Sequence, residues 1–539
     1  MSRLKLLLRP SQALTVTRRK SDYFISTPIY YVNAVPHIGH LYTSLLADAS
    51  HRFNLLLGKR NTLFCTGTDE HGTKVQQAAA ANGVPPDKYC NFVSSQYKFL
   101  FDNMDIEYTH FIRTTDEKHK EKVHWFWNKL KERGHIVSGS YAGWYCDADE
   151  MFLTDSQLKK ETSKDGQEVF LSAESGRPVH WVEESNYKFN LPAFKEDLKL
   201  WLSTEGCVKP DKFRQMLLFW LSEGVADREV SVSRPVSRVH WGIPVPGDDT
   251  QTVYVWLDAL VNYLTVGHPE NWPPSVQVLG KDILKFHGIY WPAFLMAADM
   301  ELPKCLMIHS HWMVDGEKMS KSKGNVVSPS ELSLAYSAEG VRYFLLREGT
   351  PHTDSNYSDV KIQRILNAEL ADTLGNLLNR SCGKTVNQRQ LFPPLDKSAL
   401  DQYCLQSASE VMSAVESLQS EVKECYTDMN FYRGVAEIMS SLHAANRFFE
   451  ASKPWELRKS PENQKHLEIV LHITMETLRI AGIALSPIVP ALSKRLLDKL
   501  NVHHTKRKWD DMTPSWLENN VFDEVSLNPE RSVLFKKLQ

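Results

Sequence analysis

Phe24-Ile-Ser-Thr-Pro-Ile-Tyr-Tyr-Val32 and, four residues on, Pro36-His-Ile-Gly-His40 carry the reading that decides the fold. The first run is β-rich. Behind the second, Leu41, Leu45, Ala49 and Phe53 fall on one helical stripe that Gly58 closes. A second apolar strand at 62–66 leads into a helix through 75–81 that stops at Asn82-Gly83. Strand–helix–strand–helix order predicts a parallel sheet with right-handed crossovers. From about 135 to 233 the rhythm breaks into turn-rich, aromatic and charged segments, which read as an insertion in the sheet domain. Alternation resumes over 252–263 and 276–297. From about 361, Leu366, Leu370, Leu374 and Leu377, then Val411, Val415, Leu418 and Val422, run at 3/4 spacing. Further helices are predicted at 435–449, 467–485 and 491–500, so this end reads as an antiparallel helix bundle. The expected units are a leader at 1–20, a first sheet half at 21–134, the insertion at 135–233, a second sheet half at 234–307, a loop-bearing connector at 308–360 and the bundle at 361–539.

The chain has 539 residues, enough for three or four domains at about 150 residues each. Hydrophobic residues at 42% and charged ones at 24% exclude a disordered or fibrous chain. No apolar run reaches the roughly 18 residues of a membrane span, so no membrane partner is expected. The net charge of −2 excludes nucleic-acid binding by bulk charge but not by a local patch. It also hides an asymmetry. Residues 1–20 hold Arg3, Lys5, Arg9, Arg18, Arg19 and Lys20 with hydroxyl residues and no acid, the composition of a mitochondrial transit peptide. Without those six cations, 57 of the 63 basic residues face 65 acidic ones, a net of −8. Eight cysteines with no C-x-x-C argue against a disulfide framework and suit a reducing compartment, here the mitochondrial matrix.

His37 and His40 share a face at the start of the first helix, where free N–H groups and the dipole favour an anion. Gly39 lets a ligand approach the backbone, and the pair can bond phosphate oxygens as charge moves at phosphorus. Alone, the tetrapeptide also fits histidines that cap or pack an ordinary helix. Gly316-Glu-Lys-Met-Ser-Lys-Ser-Lys-Gly-Asn325 is a glycine-bounded cationic loop able to close over a polyphosphate, though a lone Lys/Ser run also fits a solvated loop. One motif follows the first βα half and the other follows the second.

His37-Ile-Gly-His40 with Lys318-Met-Ser-Lys-Ser322 resembles the paired signatures of class I aminoacyl-tRNA synthetases. Thr27-Pro-Ile-Tyr-Tyr-Val-Asn33, Gly67-Thr-Asp-Glu-His-Gly72, Ser233-Arg-Pro235, Tyr254-Val-Trp-Leu-Asp-Ala259 and Gly280-Lys-Asp-Ile283 stand in the order of methionyl-tRNA synthetases of the mitochondrial or bacterial type. The resemblance covers nearly everything after the leader. It implies an α/β fold: a Rossmann-like parallel-sheet catalytic domain with an inserted connective domain, then an all-α anticodon-binding bundle. It implies an enzyme that activates L-methionine with ATP, releases pyrophosphate and transfers methionine to the 3′ end of mitochondrial tRNA(Met). His37 and His40 would meet the ATP phosphates, Lys318 and Lys321 the departing pyrophosphate, and Gly280 and Asp282 the ribose. Mg²⁺ would accompany ATP. The methionine carboxylate is the nucleophile, so the protein supplies positioning and charge stabilisation.

For methionine, Asp69 would take the ammonium, and Ile29, Tyr31, Trp256, Ala259, Tyr263, Ile283, His287 and Trp291 would form the wall. Ile283, His287 and Trp291 are four apart on a presumed helix, a stripe that fits core packing as well. Leu260 stands where some relatives carry proline. An insertion of about 100 residues has a small domain's size, too short for the editing module of the Ile, Val and Leu relatives. Many relatives carry Cys-x-x-Cys pairs there. This chain has Cys146-Asp-Ala-Asp149, and no cysteine at 171–176, so no zinc is expected. Asn376, Arg380 and Trp455 would read the anticodon by amide and guanidinium donors and a stacked ring. No appended module follows the bundle, so a monomer is expected. The alternatives are a class I ligase for another amino acid, or a non-catalytic tRNA-binding relative. A cysteine ligase would need a metal cluster and a leucine ligase a long insertion. A non-catalytic relative would lose the histidine pair or the loop lysines, and both are intact.

Overall fold

Tyr23–Ser26 (β1) opens the sheet, and Tyr30–Tyr31 (β2) follows after a break at Thr27-Pro28, where proline has no N–H for a ladder. The computed structural model describes residues 21–147, 150–153, 155–162, 168–173, 175–319, 324–517, 524–530 and 533–539. The leader at 1–20 and Lys321 lie outside them. Thr62–Asp69 (β3), His110–Arg113 (β4), Val208–Lys209 (β5), Val276–Gly280 (β6) and Leu306–His309 (β7) complete a seven-stranded sheet among the described residues. Its order is β5-β7-β6-β1-β3, with β2 and β4 also on β3, and every pairing is parallel.

Ile38–Leu56 (α1) carries the sequence stripe inward: Leu41, Leu45, Ala49 and Phe53 are all buried. Thr73–Ala81 (α2) ends at Asn82, and Gly83 takes φ +66°, a left-handed stop that glycine adopts without strain. Val255–Gly267 (α3) stands before β6. The segment expected as an insertion is not wholly separate from the sheet. Ile136–Cys146, Met151–Leu153, His180–Phe189 and Val230–Ser231 form an antiparallel sheet of their own, yet the chain returns to the parallel sheet at β5. Val208 is buried there, in register with Leu306.

Pro329–Glu348 (α4) connects to the helical end, where Ser409–Thr427 (α5), Phe431–Ser452 (α6), Gln464–Leu485 (α7) and Pro490–Lys499 (α8) pack in succession. Leu366, Leu370, Leu374 and Leu377 are fully buried as the spacing predicts, although 366–375 winds as wide π-helical turns. One apolar core runs unbroken from β1 into the bundle. Buried Arg342 of α4 fastens the two ends: it binds Asp48 of α1 at 2.6 Å and donates to the carbonyls of Met104 (2.9 Å), Pro487 (3.2 Å) and Ile488 (2.9 Å). A buried guanidinium is tolerable only when paired in this way.

Candidate active site

In a parallel sheet all carboxyl ends open on one edge, where ligands bind. Here β2, β3, β6 and β7 end at Tyr31, Asp69, Gly280 and His309, and all four residues line one cavity of about 510 Å³. The N-terminus of α1 opens into it through His37, Gly39 and His40.

The two histidines close a reciprocal cap. His37 Nδ1 accepts from the Gly39 N–H at 3.0 Å, and His40 Nδ1 accepts from the His37 N–H at 3.2 Å. Accepting at Nδ1 leaves the proton of each neutral imidazole on Nε2. Burial, with His37 alongside, holds His40 well below the ordinary histidine range, so it stays neutral. The rings stack at 3.7 Å, and a Cβ on Gly39 would stand 2.8 Å from His37 Cε1. Glycine is therefore required between them for the ring itself to fit. Lys318 and Met319 line the same cavity, and the Ile38 N–H donates to the Val327 carbonyl at 3.3 Å. The two phosphate motifs thus meet.

At the other end Asp69 is only 8% exposed, and its Oδ1 has no hydrogen-bond partner among the described residues. Burial, with the Asp258 and Glu150 carboxylates nearby, pushes its carboxyl well above the ordinary value. A buried carboxylate with one oxygen unpartnered in a cavity calls for a cation. Around it stand Ile29, Tyr31, Ala259 and Ile283. Trp256 stacks on Phe286 at 3.6 Å. The Tyr263 hydroxyl donates to His287 Nε2 at 2.8 Å, while His287 Nδ1 donates to the Ile283 carbonyl at 3.0 Å. Burial lowers His287 to about 4, so this wall is uncharged. Trp291 is not in the wall. It is fully buried behind it, against Phe126, Tyr263 and Trp272. The assumed α-helix is a 3₁₀ turn at Lys281–Ile283, then a π-helical turn at Phe286–Tyr290, so α-spacing does not carry through to Trp291.

Gly280 and Asp282 lie between the two ends. Asp282 bonds His311 Nε2 at 3.1 Å, and a Cβ on Gly280 would stand 2.5 Å from Asp282 Oδ1. Sequence reasoning missed several partners. His309 donates from Nδ1 to the Ser310 carbonyl (2.9 Å) and faces the Thr43 hydroxyl at 2.8 Å. Asp258 holds His71 and His119 at 2.7 Å each. Burial works to raise the Asp258 carboxyl, but the two imidazoles outweigh it and hold it below its ordinary value. Glu150, from the insertion, reaches the cavity and accepts from the Tyr31 hydroxyl at 2.8 Å. His71 and Asp258 sat inside motifs already quoted; Glu150 had no signal beyond its place just after Asp149.

Cys146, where a metal knuckle would begin, is buried in an apolar cluster with Met151, Leu153 and Phe286, and Asp149 lies outside the described residues. In the helical end, the Arg380 guanidinium lies 5.6 Å over the Trp455 ring and pairs with Glu450 at 2.5 Å. Asn376 is exposed one turn before Arg380, 3.4 Å from Asp372. The three residues therefore share one surface, with Arg380 and Trp455 in contact.

Residues 23–382 match the family described as tRNA synthetases class I (M), and residues 408–532 match the anticodon-binding domain of tRNA ligases. The mitochondrial methionine–tRNA ligases of Bos taurus and Homo sapiens are each 43% identical over 96% of this chain and cover 91% and 90% of their own length. The structure of Mycobacterium tuberculosis methionyl-tRNA synthetase in complex with methionyl-adenylate superimposes with a TM-score of 0.87 at 33% identity, over 95% of this chain and 99% of that one.

Proposed function

Because the chain belongs to the methionyl-tRNA synthetases of class I, we propose that it joins L-methionine to tRNA(Met) in the mitochondrial matrix, and that the cavity at the sheet edge is where it does so. It is an aminoacyl-tRNA ligase with ATP as co-substrate. A carboxylate oxygen of methionine forms a bond to the α-phosphorus of ATP as the bond to the β-phosphate bridging oxygen breaks, and pyrophosphate leaves. A ribose hydroxyl of the terminal adenosine then attacks the adenylate carbonyl, and AMP leaves.

The residues divide this work by position. Asp69 receives the ammonium, and Tyr31, Trp256, Tyr263 and His287 enclose the thioether beside Ile29, Ala259 and Ile283. The Nε2–H groups of His37 and His40 donate to phosphate oxygens at the α1 N-terminus, already oriented by the cap. Gly280 and Asp282 hold the ribose. Lys318, with Lys321 of the same loop, offsets charge on the departing pyrophosphate. Mg²⁺ would accompany ATP and would offset the negative charge of its phosphates. Asn376, Arg380 and Trp455 read the anticodon. The acid-free leader supports the matrix compartment, and a monomer is the proposed state.

The observation that carries this reading is a buried carboxylate with one oxygen unpartnered and a pre-oriented histidine pair lining one cavity. ATP–pyrophosphate exchange screened over the twenty amino acids tests it. Exchange is expected with methionine and at most weakly with the rest; exchange with a different amino acid, or none at all, overturns it.

A further inference from the structure

Glu150, with Met151 and Ser175, brings the insertion into the cavity. Glu150 is 5% exposed and stands at φ +54°, a left-handed backbone that a side chain seldom adopts without something to hold it there. Both carboxylate oxygens are engaged: Oε2 accepts from the Tyr31 hydroxyl at 2.8 Å and Oε1 from the Lys74 N–H at 3.1 Å. Gly72 sits against both groups, since a Cβ there would stand 2.6 Å from the Tyr31 hydroxyl and 3.2 Å from Glu150 Oε1. Tyr31 is in register with Asp69 on the neighbouring strand. Asp69, more than nine-tenths buried, keeps its unpartnered Oδ1 in the same cavity.

We infer that Glu150 is a positioning residue of the amino-acid site, fixing the Tyr31 phenol and adding a second negative charge beside Asp69, so that the site demands a ligand with a cationic head. This rests on Asp69 taking the ammonium. One carboxylate touches the ammonium, and the other, held back by Tyr31, sets the local potential. Burial keeps that potential from being screened. The insertion thereby reaches the chemistry through the Glu150 side chain, beside Met151 and Ser175 in the same lining, and the phenol cannot rotate away without breaking the Glu150 bond. Asp258 also stands near Asp69 but is enclosed by His71 and His119 at 2.7 Å each, whereas Glu150 lines the cavity itself.

The test is methionine-dependent ATP–pyrophosphate exchange by the full chain, with Glu150→Gln and Asp69→Asn beside the parent. Inhibition by 4-(methylthio)butanoate, which is methionine without its amino group, is measured on the same samples. Glu150→Gln keeps the size and an acceptor for Tyr31 but removes the charge. The KM for methionine is expected to rise about tenfold, as for loss of one poorly screened charge, with the KM for ATP within about twofold. The inhibition constant of the amine-free acid is expected to hold or improve. Equal losses for methionine and the amine-free acid would mark Glu150 as structural and overturn the inference. An unchanged methionine KM in Glu150→Gln, alongside a raised one in Asp69→Asn, would overturn the inference alone. An unchanged KM in Asp69→Asn would overturn the reading of Asp69 on which it depends.

Discussion

The sheet edge and the helical end hold their functional side chains in opposite ways. At the sheet edge Asp69, Glu150, Asp258, His287 and His309 are buried, and most have their partners fixed by other elements of the fold. At the helical end the Arg380 side chain is 39% exposed, its partner Glu450 is 62% exposed, and Asn376 faces solvent. Displacement at phosphorus is accelerated by dipoles already in place, because nothing then has to reorganise as charge develops. Reading an unpaired base needs an open ring face and donors that can leave one partner for another. The difference teaches that the proposed site groups of the sheet edge are part of the core, whereas Asn376, Arg380 and Glu450 lie on the surface of a bundle whose buried polar groups, such as His472 and Glu476, are elsewhere.

The most severe break of that contrast is Lys321→Ala. On the proposed reading the loop cation acts as pyrophosphate departs, so exchange is expected to slow by about 3–4 kcal/mol of transition-state stabilisation, with the KM for methionine little changed. A normal exchange rate removes Lys321 from its role.

Acid should act on the buried histidines, at the sheet edge first of all His287 and His309. Burial lowers His287 and His309 to about 4, so each stays neutral in the fold while its unfolded counterpart gains a proton near pH 6.5. Stability is therefore full above about 6.5 and falls with pH toward about 4, by up to about 1.4 kcal/mol per pH unit for each histidine. Urea unfolding at stepped pH reads this, and a flat profile between 6.5 and 4.5 would contradict the neutral assignment.

Gly39→Ala is the smaller intervention. Its Cβ displaces the His37 ring from the cap, costing about 1 kcal/mol of stability, and exchange falls with it. Full stability and full exchange together would mean that the cap does not orient the pair.

Much of this was legible in the chain because it is local. Strand–helix alternation, the α1 stripe and the histidine motif at the α1 N-terminus depend on neighbours within a few turns, and the fold places these elements as read, whereas residues 320–323 of the lysine motif lie outside the described residues. What could not be read depends on long-range approach. Glu150 meets Tyr31 across 119 positions, and the only cue in its neighbourhood concerned a metal knuckle. His71, His119 and Asp258 come from three separate elements. Trp291 was misplaced for a different reason: four-residue spacing places a side chain only if the helix is regular, and here a 3₁₀ turn and a π-helical turn intervene. The trio proposed to read RNA, Asn376, Arg380 and Trp455, shares one surface, but the pairing of Arg380 with Glu450 is visible only once α6 is placed.

The central claim is that activation belongs to the sheet edge and tRNA reading to the bundle. Trp455→Ala, assayed for exchange and for methionine charging of tRNA in one preparation, tests it most directly. Exchange should stay within about twofold of the parent while charging weakens by about 1–3 kcal/mol, the worth of one stacked base. Exchange and charging falling together would contradict the account.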